Sequence, residues 1–274
     1  PAMHWYGWNK APKHGDWYPE MANYQNHNWH EELIEINHRL SEMGVKKIPY
    51  VNVHLWDQFL PSFENEHAEK SLVTKPNGVI EDEPWSRNHN LFAICHANPQ
   101  IKNKVLALFD RLVAEDGFDG IYIDQVASFN ATLCFQKAHG HPTGGGKWWS
   151  EEYHNILNTL RSMMPEEKFI TTESCCECYH DVFDLFLILD TCLQGKAFYQ
   201  LCGCENCDSI PLFAMLYKDS AIAYGSVCSF ADNTEQFEYN FMRNILWGMI
   251  PTCEGMELAE IKEDTEKWDI IKRG

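Results

Sequence analysis

No unbroken apolar stretch in this chain of 274 residues exceeds six; the longest is Leu212–Tyr217. Roughly 20 are needed to cross a bilayer as a helix, so no membrane partner is expected. Basic side chains are scarce, 22 Lys and Arg against 40 Asp and Glu, for a formal charge of −18. Such a surface repels phosphate backbones, so nucleic acid is not expected as a partner, and a neutral or cationic substrate is easier to accommodate. Short-period repeats, low-complexity tracts and long Pro/Gly/Ser linkers do not occur, which excludes solenoids and linker-joined modules. No secretory leader opens the chain: Pro1 is followed almost at once by the aromatic segment Met3–Trp8. A start on Pro1 without an initiator methionine suggests a single domain, 1–274, trimmed from a longer chain.

The composition is globular, 45% apolar and 23% charged. The length suits one α/β barrel. Ten tryptophans and 13% aromatics overall supply flat faces that pack cores and also suit sugar rings. Eleven cysteines is an odd number, grouped in part as Cys175, Cys176, Cys178 and as Cys202, Cys204, Cys207. That pattern fits reduced thiols and a cytoplasmic setting better than a disulfide framework.

Short apolar segments alternate with helical periodicity. Strands are expected at Met3–Trp8, Lys47–Val53, Leu91–Cys95, Gly120–Asp124, Lys168–Glu173, Leu185–Asp190, Leu212–Tyr217 and Gly248–Pro251. Between them run the stripes Leu33, Ile36, Leu40, Met43 (behind Asn28); Ile101, Val105, Leu108, Phe109, Leu112 (behind the cap Asn98-Pro99); Tyr153, Ile156, Leu157, Leu160, Met163; and Phe237, Phe241, Ile245. Eight strand–helix units in this length predict an α/β fold, the (β/α)8 TIM barrel. Loops after strands gather at the carboxyl face of such a barrel, where active sites sit.

Two strands end on acids. In Gly120–Asp124, Tyr122 and Asp124 share a face; in Phe169–Glu173, Phe169, Thr171 and Glu173 do. Neighbouring strands lie about 4.8 Å apart, which would bring the two carboxyls to roughly 5–6 Å. That is the spacing of a retaining glycosidase pair.

GFDGIYIDQ and ITTESCCE resemble strands of retaining α-amylase-like and dextranase-like barrels that carry an Asp nucleophile and a Glu acid/base. The chain is closer still to an uncharacterised family of glycosidase-like barrels sharing IPYVNVHLWDQ, GIYIDQVAS, HGHPTGGGKWW, TTES and a Tyr-x-Asp, here Tyr217-Lys218-Asp219. The family pattern has His at the middle position, where this chain has Lys218. The resemblance implies Asp124 as nucleophile and Glu173 as acid/base, no cofactor, a carbohydrate substrate with a weak preference for α-linkage, and flanking β-domains in the longer protein.

Further candidates for substrate contact are His54, Trp56 and Asp57 after the second strand, Gln125 beside Asp124, Asp190 ending the sixth, and Tyr217 and Asp219. His139, His141 and Trp148 belong to a glycine-bearing loop that is not a phosphate loop, because Trp148 follows Lys147 where a hydroxyl is required. His139-x-His141 also allows a metal-dependent barrel hydrolase. Cys204 with Cys207, and Cys175 with Cys178, have CxxC spacing suited to a structural metal, although no metal is required by the main reading. A non-catalytic sugar-binding barrel is the remaining alternative.

Overall fold

The computed structural model describes residues 1–6, 8, 30–80, 90–129, 131–188, 210–254 and 265–274. They form two compact units, Pro1–Thr171 and Thr172–Gly274.

The first unit contains β1 (Ala2–Trp5), α1 (His30–Glu42), β2 (Lys46–Asn52), β3 (Leu55–Asp57), α2 (Pro61–Asn65), β4 (Leu91–Ala93), α3 (Pro99–Asp110), β5 (Gly120–Asp124) and α4 (Trp148–Met163). It ends in β6 (Phe169–Glu173), whose last residues belong to the second unit. β1 pairs with β2 and β2 with β5, both parallel. β2 and β5 are buried along nearly their whole length, as parallel strands covered by helices must be. Leu91–Cys95, expected as a barrel strand, is shorter and runs antiparallel to β3 in a separate two-stranded sheet. An isolated apolar run signals burial but not direction.

Helix starts follow the capping chemistry. The Asn98 side chain accepts the Gln100 amide hydrogen at 2.9 Å, and Pro99 occupies the first turn, where its missing N–H costs nothing. α3 and α4 bury their expected stripes, apart from exposed Met163. α1 does not: its buried face is Leu33 and Asn37, with Ile36 and Met43 exposed. The cause is polar. Asn37 donates to the Asp116 carbonyl at 2.7 Å and lies beside the buried Lys47, which reaches Asp119 at 2.8 Å. The cap expected at Asn28 lies outside the described residues.

Gly120 starts β5 for a steric reason. A Cβ there would lie 2.6 Å from the Phe169 carbonyl oxygen and 2.7 Å from its ring.

The second unit continues with β7 (Leu185–Ile188), α5 (Leu212–Tyr217), β8 (Ile222–Ser229), α6 (Thr234–Leu246), β9 (Ile250–Glu254) and α7 (Thr265–Arg273). β7, β8 and β9 pair in parallel. Leu212–Tyr217, expected as a strand, is a helix, and the strand that follows it is Ile222–Ser229. The predicted Gly248–Pro251 strand is shifted to Ile250–Glu254. α6 is capped by Asn233, which accepts the Gln236 amide hydrogen at 2.9 Å. Its Phe237 and Phe241 pack with Cys228, Phe230 and Ile270 into one apolar cluster.

Candidate active site

The sequence pattern of β2 and β5 builds the site around Asp124. Register sets Tyr50 opposite Tyr122 and Asn52 opposite Asp124. Alternation therefore puts all four side chains on one face of the sheet. The Tyr50 and Tyr122 rings stack at 5.5 Å, and His4 and Tyr6 close over them at 4.2 Å from Tyr122 and 4.6 Å from Tyr50. Asp124 is only 5% exposed, and its Oδ2 accepts a short hydrogen bond from the Tyr50 hydroxyl and another from Asn52 Nδ2 at 3.2 Å. Burial, then the Asp124 charge, push the Tyr50 phenol well above its ordinary range, so it stays a donor. Burial also lowers the His4 pKa to about 4, which keeps that ring neutral.

Asn52 is the brace of this arrangement. Its amide nitrogen also donates to Gln125 Oε1 at 2.7 Å, while its oxygen accepts the backbone N–H groups of His54 and Leu55 at 2.9 and 3.0 Å. The residue was not singled out in the sequence. Its position opposite Asp124 in VNVHLWDQ was the available signal.

Gln125 adopts φ +58, and Ser174, directly after Glu173, adopts φ +59. Among the described residues only His67 joins them as a non-glycine at positive φ. A left-handed step is disfavoured for residues with a Cβ and gathers at functional sites. It ends each strand at its acid. Glu173 is half-buried at the end of β6, and the Ser174 N–H bonds the Leu187 carbonyl at 2.7 Å.

The other candidates fall into three groups. His54, Trp56 and Asp57 are buried within the first unit. His54 lies against Phe129 and Trp149 at 4.2 and 5.8 Å, and burial, with His96 adding, lowers its pKa to about 3. Trp56 donates to Ser62 Oγ at 3.2 Å, and Asp57 Oδ1 accepts the Phe59 N–H at 2.9 Å. These are core and turn placements rather than an open rim.

His139 and His141, in the loop after β5, come together with Trp148 at the start of α4, the His141 and Trp148 rings stacked at 3.7 Å. Cys95 and Cys134 join the two histidines, so this is the group of side chains suited to hold a metal ion among the described residues.

Tyr217 and Asp219 precede β8, at its amino end rather than the carboxyl end where ligands gather in α/β proteins. Tyr217 donates to Glu177 Oε1 at 3.0 Å, and Asp219 is exposed. Asp190, Cys204 and Cys207 lie outside the described residues, whereas Cys175 and Cys178 are exposed.

Residues 2–228 match a family described as "Domain of unknown function (DUF6259)". A protein of Bacteroides thetaiotaomicron named "Putative glycoside hydrolase" is 26% identical over 251 residues, covering 90% of this chain and 35% of that protein. The chain thus spans about a third of this relative's length. Among solved structures, the α-N-acetylgalactosaminidase NagBb of Bifidobacterium bifidum matches at a TM-score of 0.67 and 13% identity, over 97% of this chain and 41% of that one. The α-galactosidase TtGalA of Thermus thermophilus, in complex with stachyose, matches at 0.57 and 12% identity, over 84% and 51%. At such identities the likeness shows the fold alone: α/β, of the TIM-barrel kind found in glycosidases.

Proposed function

The chain belongs to the DUF6259 family, and from that premise we propose that it hydrolyses glycosidic bonds with retention of configuration, Asp124 acting as nucleophile and Glu173 as acid/base. The observation that carries this reading is the treatment of Asp124. It is a buried carboxylate at a strand end, held by Tyr50 and Asn52 through hydrogen bonds that favour its charged form. The matching left-handed step after Asp124 and after Glu173 supports assigning the second acid as its partner.

In the proposed reaction the Asp124 carboxylate attacks the anomeric carbon as its bond to the leaving oxygen breaks. Glu173 gives its proton to that oxygen. Glu173, now a carboxylate, takes a proton from water, whose oxygen attacks the same carbon and releases Asp124. The aromatic wall of His4, Tyr6, Tyr50 and Tyr122 beside the nucleophile offers apolar faces of the kind sugar rings pack against. An α-linked substrate is proposed, in keeping with the two α-glycosidases of like fold.

A metal-dependent hydrolase built on His139 and His141 is not favoured. One nitrogen of each ring faces a cysteine sulfur and the other a backbone carbonyl. A metal drawn in among these four side chains would have all its tetrahedral positions filled by protein and none open to substrate.

The test is turnover by the full-length protein on aryl α- and β-glycosides, with the anomer formed first read by NMR. Asp124→Asn and Glu173→Gln should fold and lose activity by at least about a thousandfold. An absence of turnover across the panel, or a first product of inverted configuration, rejects the proposal.

A further inference from the structure

We propose that Cys95, Cys134, His139 and His141 form a structural zinc site that fastens the loop following β5. The ligand atoms of these four side chains lie within 4.8 Å of one another. A tetrahedral zinc with bonds of about 2.0–2.3 Å separates its ligand atoms by roughly 3.3–3.8 Å. Two of the separations already have this value: Cys95 Sγ to His141 Nε2 is 3.3 Å and Cys134 Sγ to His139 Nδ1 is 3.5 Å.

The histidine tautomers are set in advance. His139 Nε2 is 2.7 Å from the Lys70 carbonyl, and His141 Nδ1 is 2.8 Å from the Pro142 carbonyl. A carbonyl only accepts, so those nitrogens carry the protons. The lone pairs of His139 Nδ1 and His141 Nε2 are thereby aimed at the sulfurs. Metal-bound histidines are oriented in this way by a carbonyl or carboxylate on the far nitrogen. Trp148 stacks on the His141 ring at an interplanar angle of 8°, fixing its plane.

The backbone is arranged around the sulfurs as well. Backbone N–H groups of Ala97 and Asn98 face the Cys95 sulfur, and those of Thr74 and Gln136 face that of Cys134. The Cys134 N–H bonds the Gly144 carbonyl at 3.2 Å, and the Gly144 N–H returns to Cys134 at 2.7 Å, closing the turn that carries both histidines.

Zinc fits better than a hard cation, since no carboxylate is among the donors. Binding would release the two thiol protons and leave a neutral centre, suited to a place where Cys95, Cys134 and His139 are buried. A four-ligand protein site has no open position, so its role is structural. The ion would join three stretches distant in sequence: the one after β4, the one around Lys70 that orients His139, and the β5–α4 loop. This site is independent of the glycosidase reading.

The test is metal analysis of the full-length protein purified under reduction without chelator, followed by cobalt substitution after zinc removal. One zinc per chain and the visible spectrum of tetrahedral cobalt with thiolate ligands are expected. Cys134→Ser and His141→Ala should lower zinc retention at least tenfold in competition with a chromophoric chelator, whereas Cys175→Ser should not. The cobalt spectrum of the unmutated protein decides the matter should the variants fail to fold. Metal-free protein that takes up neither ion, a Cys95–Cys134 disulfide as the native state, or zinc retained equally by the Cys134 and His141 variants overturns the proposal.

Discussion

The Tyr50 hydroxyl donates to the Asp124 carboxylate across neighbouring parallel strands, two residues out of direct register. The donor therefore reaches along the sheet to the acid from the layer beneath. Loss of this proton leaves Asp124 with less support for its charge, so Tyr50→Phe should keep the fold and reduce kcat/KM about tenfold to a hundredfold. A hydrogen bond to a charged group is worth about 1.5–3 kcal/mol. Steady-state kinetics and an unfolding curve on the same preparation check both halves; equal activity would show that Asp124 does not depend on Tyr50.

Asn52→Ala should harm stability more than Tyr50→Phe does. The change strips the buried His54 and Leu55 amides of their acceptor and removes a donor from Asp124 and Gln125. Each buried group left unmet costs about 1–3 kcal/mol. Urea unfolding should show the loss; equal stability of Asn52→Ala and Tyr50→Phe would show that Asn52 is no brace.

The left-handed step after Asp124 predicts a strict order of tolerance at position 125. Gln125→Val should destabilise, because a β-branched side chain is more crowded in that region than the native Gln and the bond to Asn52 is lost as well. Gln125→Gly keeps the backbone free of strain and should test only the lost bond to Asn52. Thermal midpoints that rank valine above glycine would contradict the strand-end geometry.

Stability should fall as pH drops below neutrality because of His54 and His96, whose pKa values are lowered by burial to about 3 and about 4. Unfolded, both rings titrate near 6.5. Below that value the unfolded chain binds protons that the folded one refuses, so the stability held above pH 6.5 is lost progressively toward pH 3–4. Between pH 7 and pH 5 the two together should remove about 4 kcal/mol. Urea midpoints at both pH values, compared with a His54→Leu variant that should flatten the dependence, measure it. A slope unchanged in the variant would rule out His54.

Gly120–Asp124 is legible end to end because it combines a glycine turn, an apolar run and an acid in five residues. Leu212–Tyr217 is not: six consecutive apolar residues carry no period, and a short helix hides among them as easily as a strand. β8 escapes for the opposite reason. Ile222–Ser229 mixes small and polar residues, and its register shifts between Gly225 and Cys228, breaking the alternation that marks a strand. α1 presents Asn37 inward because Lys47 and Asp116, remote in sequence, give it partners. Strand-end position makes Asp124 and Glu173 legible as candidates, but Tyr50 and Asn52 acquire meaning only through pairing with β5. Cys95 stands 39 residues before Cys134, a separation with no motif; the nearer run Cys134, His139, His141 was the readable half.

The tight approach of Phe169 to Gly120 has a consequence for assembly of the chain. The ring needs a position on β5 that carries only hydrogen, and Tyr122 and Asp124, next along the same face, carry bulk. Sliding β6 by one repeat in that direction would drive the ring into Tyr122, so the pair works as a key and its slot. The fit holds the sheet to a single alignment during folding and sets how far along the strand Thr171 stands when folding ends.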